Sequence, residues 1–149
     1  MIENLQNMKS AVYLGEGRNH EGQAFQASFE IQSKPEINGI SFSFEARGTD
    51  GTAYHIENSI LGRNLNGQTS LWVLSSNHPG VFERLLKSDF KTSRGHRYIF
   101  GFGDVNDRHT FREEIHIEIT DKEIHYVYYW GLPDEEFRER SGCWLTARA

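Results

Sequence analysis

The stretch His109–Gly131 reads HTFREEIHIEIT, then DK, then EIHYVYYWG: alternation, turn, alternation. A side-chain period of two marks strands with one buried face. A two-residue loop at Asp121 and Lys122 sets Ile119 opposite Ile124, Ile117 opposite Tyr126, Ile115 opposite Tyr128 and Glu113 opposite Trp130. One face of this hairpin is apolar and aromatic. The other gathers Arg112, Glu114, His116 and Glu118 with His125, Val127 and Tyr129.

The same period runs through most of the chain. AFQASFEIQSK puts Phe25, Ala27, Phe29 and Ile31 on one side, and ISFSFEARG does so with Ile40, Phe42, Phe44 and Ala46. NHEG at 19–22 and KPEING at 34–39 are turn-rich connections. In HPGVFERLLKSDF, Val81, Phe82, Leu85, Leu86 and Phe90 also fit helical spacing, but strand-rich neighbours and Gly80 favour a bulged strand over 81–90. About ten short strands follow one another with no helix of ordinary length, which predicts an all-β chain, a single antiparallel up-and-down β-barrel. Residues 11–149 form that domain. Within 1–10, the spacing of Ile2, Leu5 and Met8 suggests a short helix or a cover.

Composition excludes several classes of partner. A net charge of −5, a pI near 5.8 and no long basic run argue against nucleic acid and anionic membrane surfaces. No apolar stretch approaches the roughly 20 residues of a membrane helix, so no membrane insertion is expected. Cys143, the single cysteine, rules out an internal disulfide and a CxxC site, and MIENLQNMKS lacks a signal-peptide core. A cytoplasmic location is expected.

Asp50-Gly51 and Asn66-Gly67 are strong hairpin signals that allow register to be counted. The first sets Ala46 opposite His55, Phe44 opposite Glu57 and Phe42 opposite Ser59; the second sets Leu61 opposite Trp72 and Ser59 opposite Leu74. Three polar side chains, His55, Glu57 and Ser59, then stand on a face otherwise made of Phe42, Phe44, Leu61, Trp72 and Leu74. Buried there, they would orient a ligand's polar end, or His55 and Glu57 would act as an acid–base pair. A single bulge beyond Asp50-Gly51 would instead turn all three to solvent. The opposite face, with Tyr54, Ile56, Ile60, Leu71 and Val73, is also apolar and calls for a cover, either the N-terminal segment or a second copy in a homodimer.

On the charged face of the opening hairpin, His116, Glu118 and His125 are the metal-ligand candidates, with Glu118 directly across from His125. That face reads better as solvated cross-strand ion pairs, so no metal is expected. Gly101-Phe102-Gly103 lacks the helix and frame of a dinucleotide loop, and Asp104–Asp107 lacks the glycine and distal glutamate of a calcium loop. Arg138 and Arg140 share a strand face, suited to surface pairing or to clamping an anion.

The first strand, Tyr13-Leu14-Gly15-Glu16-Gly17, resembles the W-x-G-x-G opening of nitrobindin-like and bacterial lipocalin-like barrels of the calycin superfamily, with tyrosine in the tryptophan position. The resemblance implies a ten-stranded, lipocalin/fatty-acid-binding-protein-like barrel with a ligand cavity. It also implies haem held by a histidine on the last strand, but Ser141–Arg148 has no histidine, so haem is disfavoured and no cofactor is expected. The R-x-Y carboxylate clamp of fatty-acid-binding proteins is likewise missing from Arg138-Glu139-Arg140.

The leading expectation is an intracellular protein that binds a small, largely apolar molecule. His55, Glu57, Ser59, Phe42, Phe44, Trp72, Tyr126, Tyr128 and Trp130 would be its binding residues. The alternatives are an enzyme of the cyclase, isomerase or decarboxylase type using His55 and Glu57, and a non-catalytic homodimeric barrel.

Overall fold

The computed structural model describes residues 9–148. Of the N-terminal segment 1–10, residues 1–8 lie outside the described residues. Ten strands run β1 (Ala11–Arg18), β2 (Ala24–Lys34), β3 (Gly39–Arg47), β4 (Ala53–Arg63), β5 (Thr69–Ser75), β6 (Val81–Lys91), β7 (His96–Phe102), β8 (Arg112–Ile119), β9 (Glu123–Gly131) and β10 (Arg138–Ala147). Each pairs antiparallel with the next, and β1 with β10 closes an up-and-down barrel. A 3₁₀ turn, Pro35–Ile37, joins β2 to β3. Among the described residues no helix is long and apolar enough to cross a membrane.

Closure depends on the glycines of the first strand. A Cβ on Gly15 would stand 2.1 Å from the Trp144 carbonyl oxygen, and one on Gly17 2.6 Å from that of Gly142. Only glycine lets β1 approach β10 this closely. The 81–90 segment is strand, as expected, with a register shift between Leu86 and Ser88.

The registers explain which side chains reach the interior. Around Asp121 and Lys122 the expected pairs hold throughout, from Ile119 with Ile124 to Glu113 with Trp130. Around Asp50-Gly51 the expected pairs also hold, by two offsets that cancel. Gly48 N–H bonds to the Thr52 carbonyl, making a three-residue loop with Gly51 at φ 85°, and a bulge between Ala46 and Arg47 restores the count. His55, Glu57 and Ser59 therefore face inward.

The Asn66-Gly67 register is corrected by one residue. Asn64 N–H bonds to the Gln68 carbonyl, the loop again has three residues, and no bulge compensates. Leu61 pairs with Leu71 and Ser59 with Val73. Leu71 and Val73 are buried inside, while Trp72 and Leu74 face outward. The outer apolar strip on β4–β6 accordingly consists of Ile60, Trp72, Leu74 and Val81, of which Ile60 and Val81 are 60% and 61% exposed.

The interior has two halves. At one end Phe29, Ile31, Ile40, Phe42, Leu61, Leu71, Tyr98, Phe100, Ile115, Ile117, Ile124 and Leu145 fill the barrel. At the other end, where the β1–β2, β3–β4, β5–β6, β7–β8 and β9–β10 loops gather, packing stops short.

Candidate functional site

A recess of about 340 Å³ opens at that end. Phe25, Phe44, Tyr126, Tyr128 and Trp130 wall it from the strands, and Phe111 and Leu132 from the loops. Asn19, His20, His55, Asn77, His78, Glu113 and Ser141 supply its polar lining. The volume lies at the lower end of the roughly 300–1,000 Å³ of small-molecule sites.

Glu57 lies beneath this recess and is 2% exposed. Its carboxylate accepts hydrogen bonds from the Tyr126 and Tyr128 hydroxyls, from Ser59 Oγ at 2.9 Å and from His55 Nε2 at 2.9 Å. Four donors use the four lone-pair sites of the ion. Burial pushes the Glu57 carboxyl up, but hydrogen bonding and electrostatic attraction from His55, with the bonds of the two tyrosine hydroxyls, outweigh it and hold the group below the ordinary range. Burial and the Glu57 charge drive both tyrosines well above their usual value, so they remain donors.

Asn77, on the β5–β6 loop, places Nδ2 2.7 Å from His55 Nδ1. With that amide donating, Nδ1 accepts and Nε2–H is the donor to Glu57. The result is an imidazole oriented by a buried carboxylate, with its second nitrogen turned to the mouth of the recess.

A second buried pair was hidden from sequence reasoning. Arg84 on β6 and Glu113 on β8 are 2% and 1% exposed. Arg84 Nε donates to Glu113 Oε1 at 2.5 Å, and Nη2 contacts the same oxygen. Glu113 Oε2 lies 3.4 Å from His78 Nε2, and His78 packs edge-on against Phe82. The signal for Glu113 was present: it stood on the apolar face of the opening hairpin, where a carboxylate needs a partner. Arg84 gave none, because Val81, Phe82, Leu85 and Leu86 make both faces of β6 apolar. Asn77 and His78 sit in a loop that no periodicity describes.

Of the expected binding residues, the structure brings His55, Phe44, Tyr126, Tyr128 and Trp130 to the recess, with Glu57 and Ser59 directly behind His55. Phe42 lies in the filled half, against Phe29. Trp72 is outside the barrel, for the register reason given above.

His116, Glu118 and His125 are engaged separately on the outer face. His116 Nε2 bonds to Glu114 at 3.0 Å and its ring stacks on Tyr129. Glu118 accepts from Thr92 Oγ1 and, at 3.0 Å, from Arg97 Nη2, which hold its carboxyl low against the upward push of burial. His125 stacks on Trp144 at 4.3 Å, and Arg94 also packs over the Trp144 ring. Among the described residues no group of His, Cys, Asp or Glu is arranged to hold a metal. Arg140 lies over Trp130 and donates to the Trp130 carbonyl, a local brace for the rim.

No family model and no curated protein matches the chain. Among solved structures it is similar to that titled Crystal Structure of Rv2717c from M. tuberculosis, at 13% identity over 99% of this chain and 97% of that one, with a TM-score of 0.66. At that identity the likeness speaks to the fold alone, and it fits the single antiparallel β-barrel expected from the sequence.

Proposed function

We propose that the barrel binds one small, largely apolar molecule in the recess, oriented by the His55–Glu57 pair. The observation that carries this reading is the buried carboxylate and its four donors at the floor of an aromatic-walled space. At about 30 Å³ per water-sized group, the recess has room for roughly eleven such groups, the scale of a two-ring compound. 1-Aminonaphthalene, a two-ring compound whose emission shifts to the blue in apolar surroundings, is the probe. The wild-type chain should take it up once per barrel, and Ala46→Leu, which adds bulk to the recess wall, should exclude it while circular dichroism stays unchanged. No uptake by the wild type, or equal uptake by both, would remove the reading. Native mass spectrometry of protein purified from its own cells would then identify the resident molecule.

A second reading is acid–base catalysis, favoured by the orientation of the imidazole, with Nε2 on Glu57 and Nδ1 toward the mouth. It requires that the molecule recovered from the protein be converted on incubation, and that His55→Gln abolish conversion while leaving uptake intact. Recovery of unchanged compound would leave binding alone.

A further inference from the structure

Resting on the binding reading above, we infer that the recess selects a molecule carrying an ammonium or another hydrogen-bond donor, and rejects carboxylates and phosphates. Among the described residues no lysine or arginine lines the recess, and the carboxylate that does is that of Glu113. Its two oxygens are unequally used. Oε1 takes both contacts from Arg84, whereas Oε2 has only His78 Nε2, at 3.4 Å. A carboxylate has about four acceptor sites, so Glu113 keeps capacity directed at the recess while Glu57 is saturated. His55 Nδ1 is a further acceptor, held for now by the Asn77 amide. Asn19, His20, Asn77, His78 and Ser141 can donate as well as accept, but the carboxylate charge among the lining side chains is that of Glu113, and the ring walls favour a cation.

The buried polar set adds to this bias. Of the buried charged side chains that face the barrel interior, two carboxylates, Glu57 and Glu113, stand against one guanidinium, Arg84, while buried Arg112 and Glu118 lie on the outer face of β8. Arg84 has a buried Nη1 without a hydrogen-bond partner, a donor that could attract an anion. It does not line the recess, and its Nε and Nη2 are taken by the Glu113 carboxylate. An anion reaching it would have to displace that carboxylate.

Three probes with the same ring separate the possibilities: 2-naphthylmethylamine, 2-naphthalenemethanol and 2-naphthoate. They are titrated calorimetrically at pH 8, where the amine is protonated and the naphthoate ionised. The amine should bind at least about tenfold more tightly than the naphthoate, with the alcohol between them. In Glu113→Gln the amine should fall to the affinity of the alcohol. Should that variant fail to fold, the rank order on the wild-type chain decides alone. Naphthoate binding as tightly as the amine would overturn the inference and leave the binding reading standing. Binding of none of the three would overturn both.

Discussion

Glu57 is the side chain whose removal should be felt most. Glu57→Ala deprives the hydroxyls of Ser59, Tyr126 and Tyr128 and the His55 Nε2–H of their acceptor. Of the three donors that border the recess, His55 and Tyr128 are more open than Tyr126, and there water can replace the carboxylate. Ser59 and Tyr126, at 3% and 2% exposure, are the most enclosed. A buried donor left unpaired costs about 1–3 kcal/mol, so the two together cost about 2–6 kcal/mol. The value should fall toward the lower end, because a buried charge and its desolvation cost are removed at the same time. Glu57→Gln keeps the shape and one acceptor oxygen and should cost about 1–3 kcal/mol. Urea denaturation at pH 7.5 followed by circular dichroism should rank wild type above Gln and Gln above Ala. An alanine variant within about 0.5 kcal/mol of wild type would refute the cluster as described.

The same residue sets a pH dependence. Its carboxyl is held below the ordinary glutamate value of 4.5 in the folded chain, against the upward push of burial, by His55, Tyr126 and Tyr128. A depressed folded value gives stability that is fully present above 4.5 and is lost as pH falls through the lower folded value. Glu57→Gln should therefore flatten the acid limb of stability against pH below 4.5. It should not abolish that limb, since Glu114 and Glu118 are also held low.

Other expectations follow from register and packing. Trp130→Ala should weaken uptake of 1-aminonaphthalene about tenfold, whereas Trp72→Ala, on the outer face, should leave it unchanged; a fluorescence titration of both reads the difference. Gly15→Ala puts a methyl group against the Trp144 carbonyl and should cost about 1–3 kcal/mol in thermal unfolding, where no change would contradict the close β1–β10 approach. Cys143 is buried, with its thiol pushed up to about 12 by desolvation, so it should resist a disulfide reagent at pH 8 until the chain is unfolded. If the strip of Ile60, Trp72, Leu74 and Val81 is a dimer interface, Leu74→Asp should convert a sedimenting dimer to a monomer; a wild-type monomer at high concentration would remove that alternative.

How much of this was legible depended on the loops. The His109–Gly131 hairpin could be counted because its alternation is strong on both sides of Asp121 and Lys122. The Asp50-Gly51 hairpin delivered the right inward residues for an incomplete reason, since the loop is one residue longer than counted and a bulge takes that residue back. Asn66-Gly67 has the same longer loop without the bulge, so every side chain of β5 changed face. An Asx-Gly pair signals a turn and its positive φ, but the number of residues in the loop depends on pairing farther along the strands. The partner of Glu113 was illegible for a related reason: 29 residues separate it from Arg84, and only the placement of β6 and β8 on either side of β7 brings them together.

The placement of the polar groups bears on why they are there at all. A barrel stabilised only by its interior is served as well, or better, by apolar side chains than by buried ion pairs of the same volume. The filled half follows that rule with Phe29, Phe100, Ile115 and Leu145. The two inward carboxylates, Glu57 and Glu113, occur where the filling ends, one saturated by donors and the other still able to accept. Glu57 joins β4 to β9 across the barrel, and Glu113 joins β8 to β6. These contacts tie together strands whose side chains wall the recess. Rigid walls reduce the ordering cost of binding, which is where a small site gains affinity. Stability in the closed half and preorganisation in the open half thus come from different side chains. Substitutions at Glu57 and at Ile40, which is buried in the filled half, should accordingly separate, the first acting on both stability and uptake and the second on stability alone.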